Sequence, residues 1–179
     1  MPSVAQVREL PVLVRHTVPP HWEDLNGHVN VQHYTELYDM AGYPFMELMG
    51  ISAPQVHESR IGMFDLEHHV WFLGELHVGH VVTGHACLVE RGPKRALSVM
   101  FIVDETRGRL ASAIEVISST AHLDTRRTVA LPLPLAARLD ELIIEQQARR
   151  WIPPRSGALS AQPAFGMVRA NQNKRKRRK

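Results

Sequence analysis

The 179-residue chain has a single cysteine, Cys87, so no disulfide can form within it. Residues 1–20 lack the charged start and apolar stretch of a secretory signal, and together these two absences predict a cytoplasmic protein. No apolar run approaches the roughly 20 residues that a membrane-spanning helix requires, which predicts a chain without such a helix. No internal repeat and no second composition break appears. The eleven histidines are scattered, none at a metal-ligand spacing with cysteine or acidic neighbours, so no metal is expected.

Charge is nearly balanced apart from one end. The formal net charge is +3, yet Lys174 to Lys179 alone contribute six positive charges, which leaves a mildly acidic body. Such a run is able to meet nucleic acid or an anionic surface, but it reads first as a solvated tail, and no nucleic-acid or membrane partner is expected. With 44% hydrophobic residues there is enough apolar material for one normal core. The expected organisation is one domain over residues 1–151 and a disordered tail over 152–179, where Pro, Gly, Ser and Ala give way to the basic run.

Hydrophobic periodicity orders the domain. Residues Leu10 to Thr17 alternate as a strand that Pro19 and Pro20 end. Val31, Tyr34, Leu37, Tyr38, Ala41, Phe45 and Leu48 then recur every three or four residues, the stripe of one long helix, with Asn30 as N-cap and Gly50 as stop. Gly42 and Pro44 weaken its last turns. Four long strands follow over 62–73, 81–90, 95–104 and 109–123, two of their connections short enough for antiparallel hairpins, at Gly92-Pro93 and at Thr106 to Gly108. Leu97, Val99, Phe101 and Val103 form one clean apolar face and the intervening positions are mixed, so the sheet is expected to be covered on both sides. A second helix is expected over 134–151, with Pro134 in its first turn. The pattern is α+β: an antiparallel sheet able to wrap one long helix, with an added C-terminal helix.

Between the first strand and that helix runs Trp22-Glu23-Asp24-Leu25-Asn26-Gly27-His28-Val29-Asn30-Val31. A helix start offers unpaired N–H groups and partial positive charge, the setting for an oxyanion. A carboxylate beside it supplies a base or nucleophile for acyl transfer. Asp24 is that carboxylate. Read without context, Asp24 and Asn26 are also ordinary turn or cap residues, and His28 is also an ordinary structural histidine.

The segment Asp24-x-x-Gly27-His28-Val29-Asn30, with Tyr34 following, resembles the 4-hydroxybenzoyl-CoA thioesterase-like branch of the hotdog superfamily, and Asp24, Asn26 and His28 also match the Asp-x-Asn-x-His core of plant acyl-ACP thioesterases. Within the branch, residues 26–34, 69–79 and 115–124 are most similar to betainyl-CoA thioesterases of carnitine degradation, and the likeness extends over about residues 10–150. The resemblance implies a hotdog fold and acyl-CoA thioester hydrolysis in which CoA is part of the substrate and no cofactor is needed. It implies Asp24 as the catalytic acid residue, Asn26 and His28 positioning water or thioester, the backbone N–H near Val31 as the oxyanion donor, and a site at the interface of a homodimer or dimer of dimers.

A betainyl group calls for an aromatic box, for which Trp22, Tyr34, Trp71 and Phe72 are the candidates, with His69 beside them as a further substrate contact. Core packing is the alternative role for these aromatics. His80, Trp71 and Phe72 depart from the family's usual residues, which bears on substrate and not on fold. Two other functions compete: a hotdog hydratase or dehydratase, whose motif has Pro in the turn and His five residues after Asp, where here Gly27 and a spacing of four occur; and a non-enzymatic acyl-CoA-binding module.

Overall fold

A computed structural model describes residues 1–162. The long helix forms as its stripe predicts. This helix, α2 (Val31–Leu48), is capped by the Asn30 side chain, which accepts from the Gln32 N–H at 3.1 Å. Pro44 sits inside α2 without ending it. A single sheet curls against the helix. Its strands are β1 (Val14–Thr17), β2 (Ile61–Phe72), β3 (Val81–Arg91), β4 (Arg95–Asp104) and β5 (Arg109–His122), in the order β1-β3-β4-β5-β2, all antiparallel, with the two-residue β6 (Arg127–Thr128) pairing the end of β5. This is the hotdog arrangement.

Alternation along the strands divides the core into two layers. Met100, Ile102, Ile114 and Val116 face α2 and meet Leu37, Tyr38, Ala41 and Phe45. Leu37 is fully enclosed, and truncating such a residue to Ala costs about 2–5 kcal/mol. The clean apolar face expected on β4 looks the other way: Val99, Phe101 and Val103 pack with Cys87, Leu10, Trp151 and Val7 of the short helix α1 (Val4–Val7). The helix approaches β3 most closely at Gly84, where a Cβ would come within 3.3 Å of Ala41 and 2.6 Å of Val14. Any larger residue there forces apart the layers that hold the start of α2 in position.

Four local expectations change. The first strand is only Val14–Thr17, because Leu10 turns into the outer layer instead of pairing. The polar stretch before β2 forms a helix, α3 (Ala53–Ser59), started by Pro54 and ended by Arg60 with φ +56°. The C-terminal helix α4 is Leu133–Ala148, so Arg149 to Trp151 lie beyond it. Residues 152–162, expected as the start of a disordered tail, run across the outer layer: Leu159 and Ala161 are buried, and Arg155 and Ser156 bind Glu115. Apolar contacts and a buried partner for the charge outweigh the Pro/Gly/Ser composition that suggested disorder. The remaining tail, with Lys174 to Lys179, lies outside the described residues. Among the described residues no helix is long and apolar enough to cross a membrane.

Candidate active site

The segment from Trp22 to Asn30 is a tight loop closed on itself. Glu23 and Val29 form an isolated antiparallel bridge, the Asp24 N–H donates to the His28 carbonyl at 3.0 Å, and the Gly27 N–H donates to the Asp24 carbonyl at 3.0 Å. Gly27 has φ +74°, a left-handed conformation that a side chain would strain, so the glycine follows from the turn. The Asp24 side chain completes the turn: its Oδ1 accepts from the Asn26 N–H at 2.8 Å and its Oδ2 from the Asn26 amide at 3.4 Å. His28 Nδ1 stands 3.8 Å from Asp24 Oδ1. The Asn26 backbone N–H, with its side chain and His28 adding to it, holds the Asp24 carboxyl below the ordinary carboxylate range. These donors outweigh the upward push of desolvation, so Asp24 is ionised at neutral pH.

The loop is braced from two sides. The Val29 N–H donates to the Leu76 carbonyl at 2.9 Å, and His77 Nδ1 lies 3.1 Å from the Gly27 carbonyl, so the β2–β3 connection holds one edge. The Asn30 N–H donates to the Trp22 carbonyl at 2.9 Å on the other. The first turn of α2 is then almost complete within itself. Gln32 bonds the Asn30 side chain and His33 the Asn30 carbonyl, whereas the Val31 N–H has no acceptor among the described residues. A free donor at a helix start thus follows Asp24 by seven residues, across a loop fixed at both ends.

The residues expected to bind substrate divide among three places. Trp22 is 2% exposed and lies between the imidazoles of His16 and His33, at 4.9 and 4.7 Å between ring centroids. Tyr34 and Phe72 do meet, edge to face at 5.3 Å, with Phe72 half exposed. The Tyr34 hydroxyl donates to the Gly74 carbonyl and accepts from the Leu76 N–H, which pins the same connection that braces the Asp24 loop. Trp71 points to the outer layer and packs on His69 at 4.5 Å, because neighbouring strand residues take opposite faces. The four aromatics form no box within one chain. His16, His33 and His77 carried no motif and were not anticipated; their roles come from stacking and loop contacts between residues far apart in sequence.

Sequence comparison decides the lineage. The family model of the thioesterase-like superfamily matches residues 18–139, which contain the loop, α2 and all the long strands. The chain belongs to the thioesterase-like superfamily.

Solved structures agree in fold with this superfamily member. A hypothetical protein, SAV2348 of Staphylococcus aureus, determined in complex with CoA, is 23% identical and superposes with a TM-score of 0.69, covering 81% of this chain and 97% of its own. A candidate thioesterase of Pseudomonas putida KT2440 is 25% identical, with a TM-score of 0.68 over 87% of this chain and 98% of that one. Slr0204, a 1,4-dihydroxy-2-naphthoyl-CoA thioesterase of Synechocystis, is 14% identical, with a TM-score of 0.62 over 72% and 95%. No curated protein matches the sequence significantly.

Proposed function

We propose that the protein hydrolyses an acyl-CoA thioester to the free acid and CoA, with Asp24 as the catalytic carboxylate and the Val31 N–H as oxyanion donor. The observation that carries this reading is the pairing of an ionised, turn-held carboxylate with a helix-start N–H that has no acceptor among the described residues. The thioester carbonyl oxygen accepts from Val31. Asp24 either attacks the carbonyl carbon itself or takes a proton from a water that attacks. In both cases a C–O bond forms, the developing oxyanion is stabilised at the helix start, and the C–S bond breaks to release the CoA thiolate, which gains a proton; where Asp24 is the nucleophile, a water then hydrolyses the resulting acyl–Asp24 anhydride to the free acid and restores the carboxylate. Asn26 keeps the carboxylate oriented through its two hydrogen bonds, and His28, beside it, positions water or the departing sulfur. No cofactor takes part, CoA being part of the substrate, and the cytoplasm is the compartment that suits a free thiol.

A second copy of the chain is the proposed partner. β2 is twelve residues long, pairs on one side only among the described residues, and carries Phe64 and Leu66 partly in the open. An unprotected edge of that length is a template for another strand, and antiparallel pairing of two β2 edges gives a homodimer with one continuous sheet.

Betainyl-CoA is the acyl thioester that the family resemblance raises. Its trimethylammonium group is best held by several aromatic faces. Only Tyr34 and Phe72 lie together in the chain, with Trp22, His69 and Trp71 elsewhere, so betainyl-CoA is one arm of a substrate panel.

The deciding experiment is release of free thiol from a panel of acyl-CoA esters by the wild type and by Asp24→Asn. Hydrolysis by the wild type is expected to fall roughly 10²–10⁴-fold in the variant, with the fold intact by circular dichroism. Full turnover by Asp24→Asn overturns the assignment. Loss of the double bond of crotonyl-CoA without release of thiol assigns a hydratase instead, and binding of acyl-CoA with neither reaction assigns a carrier module.

A further inference from the structure

Along the middle and end of α2, closed by α3 and β2, lies a cavity of about 880 Å³. It falls near the top of the roughly 300–1,000 Å³ range of sites that enclose a drug-sized ligand. Phe45, Met46, Met49, Met63 and Met100 make its walls largely apolar and deformable. Asp24, Asn26 and His28 are not part of the lining, which begins at Thr35. Thr35 is one helical turn beyond Val31, and Gly42 and Met46 continue the same helix line. An acyl group whose carbonyl oxygen meets the Val31 N–H is therefore directed along this line of α2 toward the cavity.

The lining also carries polar side chains, among them Asp39, Glu47, His57 and Arg60, and one set on β2 and β5 is joined by its own hydrogen bonds. Asp65 and His68 would face opposite ways on a regular strand, three residues apart. The register of β2 against β5 shifts between Asp65 and Glu67, and the bulge at Leu66 brings both side chains to the cavity side. Ser118, opposite Asp65 on β5, donates its hydroxyl to Asp65 Oδ1 at 2.6 Å, and His68 Nε2 lies 3.0 Å from Oδ2. Both carboxylate oxygens are thus occupied. The same two donors, His68 foremost, hold the Asp65 carboxyl below its ordinary range against the opposing effect of partial desolvation. The imidazole is fixed by one nitrogen, while Nδ1 has no hydrogen-bond partner among the described residues. Both side chains are partly open to solvent, 55% of Asp65 and 40% of His68 being exposed, so the bulge sets a carboxylate and an imidazole at the rim of the cavity, where a polar group on an entering ligand can meet them.

We propose that the Asp65–His68–Ser118 trio reads a hydroxyl on the acyl group, so that the preferred substrates are apolar acyl thioesters well larger than acetyl or betainyl that carry one hydroxyl on the chain or ring. His68 is the specificity-determining residue: its Nδ1 bonds the hydroxyl, as acceptor when the ring is neutral and as donor when it is charged. Asp65 and Ser118 are positioning residues acting through it. The inference rests on the thioesterase reading of Asp24.

Its test compares kcat/KM of the full-length wild type on alkanoyl-CoA esters of increasing length, on their positional hydroxy derivatives, and on acetyl- and betainyl-CoA. At least one hydroxyacyl ester is expected to exceed its parent by about tenfold or more, the discrimination of a site built to bond a hydroxyl. His68→Leu should erase that preference, bringing the ratio of kcat/KM for the hydroxy ester over its parent to about one, with His68→Gln retaining part of it. Met46→Trp, which fills the cavity, should slow the larger esters and spare acetyl-CoA. Equal turnover of hydroxy and parent esters, or best turnover of acetyl- or betainyl-CoA, with neither His68 variant altering the ratio, overturns this inference while hydrolysis that Asp24→Asn abolishes leaves the catalytic reading standing. Absence of hydrolysis from every ester in the wild type overturns both.

Discussion

The imidazole of His33 lies flat on the indole of Trp22, with ring centroids 4.7 Å apart and planes within 7°. The two residues belong to different sides of the catalytic loop. Trp22 precedes it and accepts from Asn30 through its carbonyl, whereas His33 is in the first turn of α2 and accepts nothing from the loop itself. Their stack fixes the angle at which the loop enters the helix, and so the position of Asp24 relative to the Val31 N–H. Truncating Trp22, which is almost fully enclosed, to Ala should cost about 3–5 kcal/mol of stability. Chemical denaturation measures this, and Trp22→Phe should recover a large part of it. Below the unfolding range, Trp22→Ala should also lower kcat more than it raises KM, because displacement of the carboxylate by about 1 Å costs on the order of 10²-fold.

With Asp24 as the proposed catalytic carboxylate, the acid limb of activity should follow the turn that holds it. A group whose folded pKa is depressed is active above that value, and activity disappears as pH falls through it. The Asn26 N–H is the chief cause of the depression here. In kcat/KM, which reports the free enzyme, the loss should therefore fall below the ordinary Asp value of about 3.9. Asn26→Ala removes the amide bond to Oδ2 while leaving the backbone N–H, and should move the limb upward toward that ordinary value without reaching it. A pH–rate profile unchanged by the substitution would detach the limb from Asp24.

The periodicity of α2 and of the four long strands was legible because each buries a continuous stripe, and apolar spacing records such burial directly. Asp24, Asn26 and His28 were legible for a different reason: a tight turn before a helix confines its residues to a short stretch of sequence. The aromatic box conflicts with alternation already readable in the sequence, since Trp71 and Phe72 are neighbours on one strand and take opposite faces, whereas the distance of Trp22 from both depends on the fold. Asp65 and His68 were hidden by the bulge at Leu66, which inverts the facing that simple alternation assigns and depends on pairing with β5. The stack of His16, Trp22 and His33 likewise joins β1, the loop and α2 through contacts that no local pattern encodes.

Oligomeric state gives a further check. Pairing through the β2 edges predicts a particle of twice the 20.2 kDa chain mass in sedimentation equilibrium. Leu66 is half exposed on that edge, and Leu66→Lys places a charge where another strand would approach. The variant should shift toward monomer at micromolar concentration while keeping the circular dichroism of the wild type. A wild-type monomer at the same concentrations would exclude the β2 pairing.

Glu115 is the one fully buried carboxylate on the outer face of β5, and the segment after α4 supplies its partners: Arg155 Nε at 2.9 Å, the Ser156 N–H at 2.9 Å and the Ser156 hydroxyl. Removing one partner of a buried charge leaves the other without compensation, which costs more than the pair itself contributes. Arg155 is a third exposed, so water relieves part of that cost, and Arg155→Met should destabilise by about 1–3 kcal/mol. Replacing both, as Glu115→Leu with Arg155→Met, should be closer to wild type than Arg155→Met alone, since no orphaned charge remains. Truncation after Trp151 removes Arg155 and Ser156 together and also uncovers the surface beneath Leu159 and Ala161. It should therefore destabilise more than either substitution, and a truncated chain as stable as the full one in urea unfolding would mean that residues 152–162 contribute nothing to holding the sheet.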